Sequence, residues 1–227
     1  MILYHDNKGA IRTGPLRALS FDTGVESLFT GRVVQAFVSA QADVGAAAIA
    51  SLGPWTMAEV GASAEYLYQL PGAVITANMV AGIPRFLHVL SGEDLHVVMP
   101  IAVEAVRPLE TAPSEIYLRN DFFVDLPLLQ QMDSNGVLQP WAGAAAELYF
   151  AASSAVGAAA IHPDVALSVG TGLTSLGAGR YVGGFNGNAT WARLQPYIDT
   201  VTHLHLKVGT ELHYSAQVIV RAARPSA

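Results

Sequence analysis

Histidine is the residue type in this chain best suited to chemistry, and its spacing is regular. The segment His88-Val89-Leu90-Ser91-Gly92-Glu93-Asp94-Leu95-His96 is matched by His205-Leu206-Lys207-Val208-Gly209-Thr210-Glu211-Leu212-His213. Both read as apolar-alternating stretches around a glycine turn, with a histidine at each end. A hairpin centred on Gly209 places His205 opposite His213, and one centred on Gly92 places His88 opposite His96. Directly opposed Cβ atoms lie about 4.5–5.5 Å apart, within reach of one shared metal ion. A metal needs a third ligand. His203, on the same strand face as His205, supplies one in the second segment, whereas Phe86 stands at that position in the first. His203, His205 and His213 are therefore the candidate metal set. The alternative, and the expectation here, is a pair of half-buried polar residues at a hairpin mouth, with no metal or cofactor. His5 and His162 have no partner that the sequence supplies.

Other catalytic signatures are missing. The chain has no G-x-S-x-G elbow, no H-E-x-x-H and no phosphate-loop pattern, and the glycines from Gly170 to Gly187 suit bulges and tight turns better. Asp133-x-Asn135-Gly136 opens like a calcium loop but lacks the later ligands, so a turn is expected. With no cysteine, thiol nucleophiles, disulfides and cysteine-held metals are excluded. No enzymatic activity is expected.

Composition narrows the classes further. The 227 residues carry a net charge of −6, only 13% are charged, and the 12 Lys and Arg form no cluster. A nucleic-acid partner normally requires a basic stripe, so none is expected. Uncharged runs such as Val44 to Met57 are broken by Gly53-Pro54 before reaching the ~20 apolar residues of a membrane span. The N-terminal MILYHDNKGAIRTG lacks the pattern of a signal peptide. Hydrophobicity of 52% argues against a disordered chain.

The elements that must position the histidines are themselves repeated. Val44-Gly45-Ala46-Ala47-Ala48-Ile49 returns letter for letter as Val156-Gly157-Ala158-Ala159-Ala160-Ile161, an offset of 112 residues. Pro15-Leu16 with Pro127-Leu128, Gly24-Val25 with Gly136-Val137, and Gly31 with Gly143 keep that offset. At the histidine segments it has grown to 117, and Val103 with Val220 and Arg107-Pro108 with Arg224-Pro225 keep the new value. The shift places about five extra residues in the second copy, in the glycine-rich stretch between 170 and 187. An ordered series of Pro, Gly, His and Arg matches indicates tandem duplication. The first copy is assigned to residues 1–107, a proline-containing linker to 108–114, and the second copy to 115–227.

Each copy is close to the ~100 residues of a β-sandwich. Short apolar runs broken by Gly, Pro, Asn and Asp favour strands. Ala145 to Ala151 could be helical by propensity, but its counterpart Val33 to Ser39 is β-branched and alternating, so a strand is expected in both. The Ala-rich segment after each VGAAAI is the one place where a short helix is allowed. The fold class is all-β, two tandem sandwiches. Most aromatics, including Trp55, Tyr66, Tyr68, Phe185 and Tyr197, are expected in the sheets' cores. Trp141 and Trp191 have no tryptophan counterpart in the first copy; with Tyr181 they are the interface candidates.

The second copy runs from Leu118-Arg119-Asn120-Asp121 through Leu126-Pro127-Leu128 and the Asp133-Ser134-Asn135-Gly136 turn. It continues through Gly179-Arg180-Tyr181-Val182-Gly183 to the strand Tyr214 to Val220. This order of polar-apolar strand, D-x-x-G turn, late G-x-Y-x-G strand and closing hairpin resembles the immunoglobulin-like modules of tailed-bacteriophage virion proteins. The N-terminal domains of upper-baseplate proteins are the most similar in pattern. In the first copy Ala64-Glu65-Tyr66-Leu67-Tyr68 lacks both glycines of that strand. The resemblance implies a non-enzymatic virion structural protein, an assembly component of the tail, baseplate or neck. Its partners would be other virion proteins in a ring of three-, six- or twelve-fold symmetry. A capsid decoration or head-fibre protein, and a carbohydrate-binding or adhesin-like surface module, are the alternatives.

Overall fold

The computed structural model describes residues 1–19, 23–92, 95–133, 137–141 and 145–222. The sequence matches at Gly143 and Arg224-Pro225, the turn residues 134–136, and Glu93 and Asp94 lie outside the described residues. The chain divides into two compact units: Met1–Ala105 with Met132–Val137, and Val106–Gln131 with Leu138–Ala227.

In the first unit the strands are β1 (Ile2–Tyr4), β2 (Gly9–Arg12), β3 (Arg17–Leu19), β4 (Glu26–Leu28), β5 (Val34–Ser39), β6 (Trp55–Glu59), β7 (Tyr66–Leu70), β8 (Arg85–Ser91) and β9 (Leu95–Glu104). A helix, α1 (Gly72–Asn78), separates β7 from β8. The main sheet has the order β1-β9-β8-β5-β6-β7-β2, and β3 pairs with β4 as a separate hairpin. β1 runs parallel to the last strand, β9, while every other pairing in this unit is antiparallel. Strands β9, β8 and β5 are neighbours like the G, F and C strands of an immunoglobulin-like sandwich, and β7 with β2 stand as its E and B strands.

The remaining strands are β10 (Arg107–Pro108), β11 (Glu115–Tyr117), β12 (Phe122–Asp125), β13 (Gln130–Met132), β14 (Leu138–Pro140), β15 (Ala146–Ala151), β16 (Ala166–Val169), β17 (Gly172–Gly177), β18 (Arg180–Phe185), β19 (Val201–Val208) and β20 (Leu212–Arg221), with α2 (Gly187–Leu194) between β18 and β19. Their main sheet reads β10-β20-β19-β15-β16-β17-β18-β12, with β11 also parallel on β20. Element for element this is the first topology again. The hairpins β3–β4 and β13–β14, the helices α1 and α2, and the parallel first strands β1 and β11 all recur in order.

The structure therefore shows an all-β chain in two copies of one immunoglobulin-like design. Beyond β10 at the sheet edge, the strand the second copy adds is β17, which runs parallel to β16 and antiparallel to β18. It occupies 172–177, the stretch to which the growing offset assigns the insertion.

Alternation builds the cores. In β19, Thr202, Leu204, Leu206 and Val208 are buried inward, while His203, His205 and Lys207 point to the other face. β15 turns Ala146, Leu148 and Phe150 inward, and β5 does so with Val34, Ala36 and Val38. Tyr66 and Phe185 join these cores, as expected for the sheet aromatics, and so does Tyr181, one of the interface candidates.

Two expectations need correction. Residues 108–114 are not a free linker. Pro108 lies in β10 beside β20, Leu109 is 2% exposed in the second core, and the Ile219 amide donates to the Ser114 carbonyl. Proline suits an edge strand, where its missing N–H costs no ladder bond. No α-helix follows either VGAAAI; the second copy has only a 3-10 turn, Pro163–Val165. The helices form later, at α1 and α2. Asn186 caps α2 by accepting from the Asn188 and Ala189 amides.

Both helices start at a glycine for a steric reason. A Cβ on Gly187 would lie 2.5 Å from the Arg119 carbonyl, and one on Gly72 would lie 2.7 Å from the Asn7 amide nitrogen. In each copy the helix start abuts the turn between the first two strands, where Asp6 and Arg119 have positive φ. Gly187→Ala is thus expected to destabilise the second unit by about 1–3 kcal/mol through overpacking, measured as a lower midpoint in denaturant. Gly170→Ala meets no atom within 4 Å and reports backbone strain alone.

Candidate functional site: a buried histidine pair under a repeated loop

The histidines sit on the face of the β19–β20 and β8–β9 hairpins that points away from the apolar core. Yet His88 and His205 are fully buried and His213 is 2% exposed. On this side of each sheet, a loop leaves the third core strand and carries the repeated hexamer. In the first unit it leaves β5 and returns where the Ile49 amide donates to the Val38 carbonyl, 2.8 Å. In the second it leaves β15 and returns where the Ile161 amide donates to the Phe150 carbonyl, 2.7 Å. Gly45 and Gly157 take φ of +89° and +80° in these loops, which a β-carbon disfavours.

The register differs from the expected one. His205 stands opposite Ser215 and His213 opposite Lys207; likewise His88 faces Val98 and His96 faces Leu90. The last paired residues are Val208 with Leu212 and Ser91 with Leu95, so the turn spans three residues instead of centring on glycine. The histidines are diagonal neighbours, and long side chains still bridge that distance. His205 Nδ1 lies 2.7 Å from His213 Nε2, and His88 Nδ1 lies 2.9 Å from His96 Nε2.

The second ring nitrogen fixes the protons. His205 Nε2 is 2.8 Å from the Ser153 carbonyl, and His88 Nε2 is 2.8 Å from the Gln41 carbonyl. A carbonyl only accepts, so Nε2 carries the proton and donates. In the neutral ring Nδ1 then accepts from the Nε2–H of the second histidine. An aromatic ring closes each cluster from the neighbouring strand. Phe37 stacks on His88 at 4.7 Å between centroids, and Tyr149 stacks on His205 at 5.3 Å. The chain Phe37–His88–His96–Gln41 is repeated as Tyr149–His205–His213–Ser153.

This arrangement fastens a loop to a sheet. His205 has committed both nitrogens and has no lone pair to offer a metal, so His203, His205 and His213 do not converge as ligands. Among the described residues no group of three or more His, Asp or Glu side chains is placed to hold a metal ion. His203 Nδ1 and the Ser215 hydroxyl are buried without a hydrogen-bond partner. Ser215 faces a histidine already bonded on both sides, so the pair does not form an activated nucleophile. His5 instead bonds the Met79 carbonyl, and His162 caps the 3-10 turn by accepting from the Asp164 amide.

The interface candidates are packed inside the second unit. Tyr181 is 5% exposed and its hydroxyl donates to the Trp141 carbonyl at 3.4 Å. Trp141 and Trp191 are partly buried against the core, and Trp191 lies under the Arg119 guanidinium at 4.0 Å. The large exposed aromatic is Phe123, 74% exposed on edge strand β12, which the sequence pattern did not single out. A cavity of about 570 Å³ lies beside the second loop, walled by Tyr149, Ala158, Ala160, Leu167, Glu147 and Lys207. No helix among the described residues is long and apolar enough to cross a membrane.

No protein-family model matches the chain, and no curated protein matches it significantly. Among solved structures it is similar to the ectodomain of a teleost fish polymeric Ig receptor, at 10% identity over 100% of this chain and 96% of that one, TM-score 0.34. A complex of Dpr2 Ig1-Ig2 with DIP-Theta Ig1-Ig3 matches at 11% identity, 97% and 94% coverage, TM-score 0.28. Domains 5-6 of the S-layer protein SbsC match at 16% identity, 96% and 92% coverage, TM-score 0.25. Scores this low carry no argument about function.

Burial, opposed by the Ser153 hydrogen bond and aided by the charges of His213 and His203 should they protonate, holds His205 at a pKa of about 4, against the ordinary 6.5. The neutral ring is thus favoured in the folded state. The resulting stability is fully present above pH 6.5 and is lost as pH falls from 6.5 to about 4. At roughly 1.4 kcal/mol per unit of displacement, this amounts to a few kcal/mol. NMR titration of the ring nitrogens is expected to give a His205 midpoint near 4, with denaturant stability declining over the same window. His213→Leu leaves His205 Nδ1 buried and unbonded, and is expected to cost about 1–3 kcal/mol in an equilibrium unfolding measurement at pH 7.5.

Proposed function

We propose that this chain is a non-enzymatic assembly module, a component of a multi-subunit particle that presents the same contact element twice. The observation that carries this reading is the repeated loop. Its glycines satisfy the backbone, and Ile49 and Ile161 pack against the cores. Val44, however, is 83% exposed, and Ala47, Ala48, Ala159 and Ala160 are exposed as well. The fold places no demand on these side chains, yet all are identical between copies that differ at most other positions. A counterpart surface met by both loops explains that identity. Low charge supports the reading, because charged groups are depleted from the centres of protein interfaces.

The resemblance in the second copy makes a tailed-bacteriophage virion the particular setting we infer, with the chain in a tail, baseplate or neck ring. Two similar units per chain let three chains meet a six-fold axis with six similar contacts. Light scattering on the purified chain is expected to give a closed oligomer of three or six 23.9 kDa subunits. The Val44→Asp, Val156→Asp double variant is expected to stay folded by circular dichroism and to dissociate. A monomer at every concentration that labels no particle from its source, or a specific turnover, would overturn the proposal.

A further inference from the structure

We propose that the His205–His213 pair is an acid-operated latch on the loop from Ser153 to Ile161: the neutral pair ties the loop down, and protonation of the pair lets its leading end go. The two ends of this loop are held differently. At the trailing end, backbone bonds do the work, from the Ile161 amide to the Phe150 carbonyl and through the bridge between Ala160 and Ala151. At the leading end, the tie to the sheet is a side chain, His205 Nε2–H donating to the Ser153 carbonyl. That donation depends on a ring held in place by the His213 bond and the Tyr149 stack.

The surroundings make this pair sensitive to an added proton. Only one hydrogen fits between two nitrogens 2.7 Å apart. A proton arriving at the pair places a positive charge in the buried cluster, and a second sets N–H against N–H and breaks the bond. The Ser153 carbonyl favours a charged ring, but burial outweighs it, and the side chains that face the cluster do not compensate the charge. From β15 come Tyr149 and, further along the same face, Glu147, which stands opposite Lys207. From β19 come His203 and Lys207. From β20 come His213 and Ser215, with Arg107 of β10 over the neighbouring Tyr214 ring. Residues 152–161 carry no ionisable side chain. Water is the remaining means of stabilising the charge, and lifting the loop's leading end admits it. The low pKa of His205 agrees with this geometry.

Hydrogen exchange on the intact chain between pH 7 and 4.5, corrected for intrinsic rates, tests the latch. Opening of residues 152–161 is expected to increase roughly ten-fold per pH unit below about 6.5, while β15 core amides keep their protection. His205→Gln is the decisive variant. Its amide N–H can donate to the Ser153 carbonyl and its amide oxygen can accept from His213, but it does not titrate. The acid response of the loop is expected to vanish in it. An unchanged loop in the native chain at pH 4.5, or an equal response in His205→Gln, would overturn the latch. Should that variant not fold, the native chain still decides. In it the rise in loop exchange must begin near pH 6.5 and, followed down to pH 3.5, level off at the midpoint of the His205 ring titration; a rise that levels off elsewhere rejects the proposal.

Discussion

The antiparallel pairing of the last two strands in each copy is the constraint on which the rest depends. Its three-residue turn fixes the register, and the register fixes which side chains face each way. A slip by one residue would turn the histidines into the core and Leu204, Leu206 and Val208 out of it. With the observed register, one face of β19 and β20 seals an apolar interior, and the other presents a row of polar groups. That second face would ordinarily meet water. Here a loop lies on it, and the histidines are the means by which a polar face accepts a covering layer. In each pair one ring, His88 or His205, satisfies a backbone carbonyl and its partner ring, so burial on this side leaves both of its nitrogens paired.

The duplication shows which features the design requires. Strand order, the parallel first strand, the small hairpin after the second strand and the helix before the last hairpin are all kept. So is the glycine at each helix start, because the turn between the first two strands comes within contact of its α-carbon. What varies is length between the third and last core strands. The second copy accommodates β17 by pairing it parallel to β16, which lengthens the sheet without disturbing the hairpin or the loop. The proline-rich segment between copies is likewise absorbed as structure, since prolines at an edge forfeit no ladder bond.

Much of this is legible in the residues. Alternation in Thr202 to Leu206 and the aligned strands at Val34 and Ala146 identify the strands, and the change in offset locates the inserted strand. The histidine pairs are legible as pairs. Their exact alignment is not, because glycine marks a turn without stating whether it spans two residues or three. The helices were missed because α1 lacks a side-chain cap and α2 is short; Asn186-Gly187-Asn188 was the available signal. The partners of His205 were also beyond the sequence. Ser153 contributes only its carbonyl oxygen, a group that every residue possesses, so no residue type announces it. Trp141 and Trp191 look like surface anchors because they are large and have no tryptophan counterpart in the first copy, but packing against the second core accounts for them; Tyr181 repeats Tyr66, each hydroxyl donating to a backbone carbonyl.

Identity between the copies is unevenly distributed, and its distribution separates two kinds of requirement. Positions around the histidines and in the core vary in type: Phe37 becomes Tyr149 on the histidine face, Val38 becomes Phe150 in the core, and exposed Gln41 becomes Ser153 while keeping the carbonyl that the histidine needs. This is the tolerance expected where volume and backbone geometry are what matter. The hexamer behaves oppositely. Its exposed alanines and valine could vary without touching either core, and they have not. The proposed assembly role accounts for this, since one counterpart surface meeting both loops would act on the same side chains in each. The histidine pair beneath each loop fits that role, because a contact element made of small apolar residues has little of its own to hold its shape. Its conformation is imposed from below by a neutral, hydrogen-bonded pair, which links the presentation of the surface to the protonation of the site that supports it.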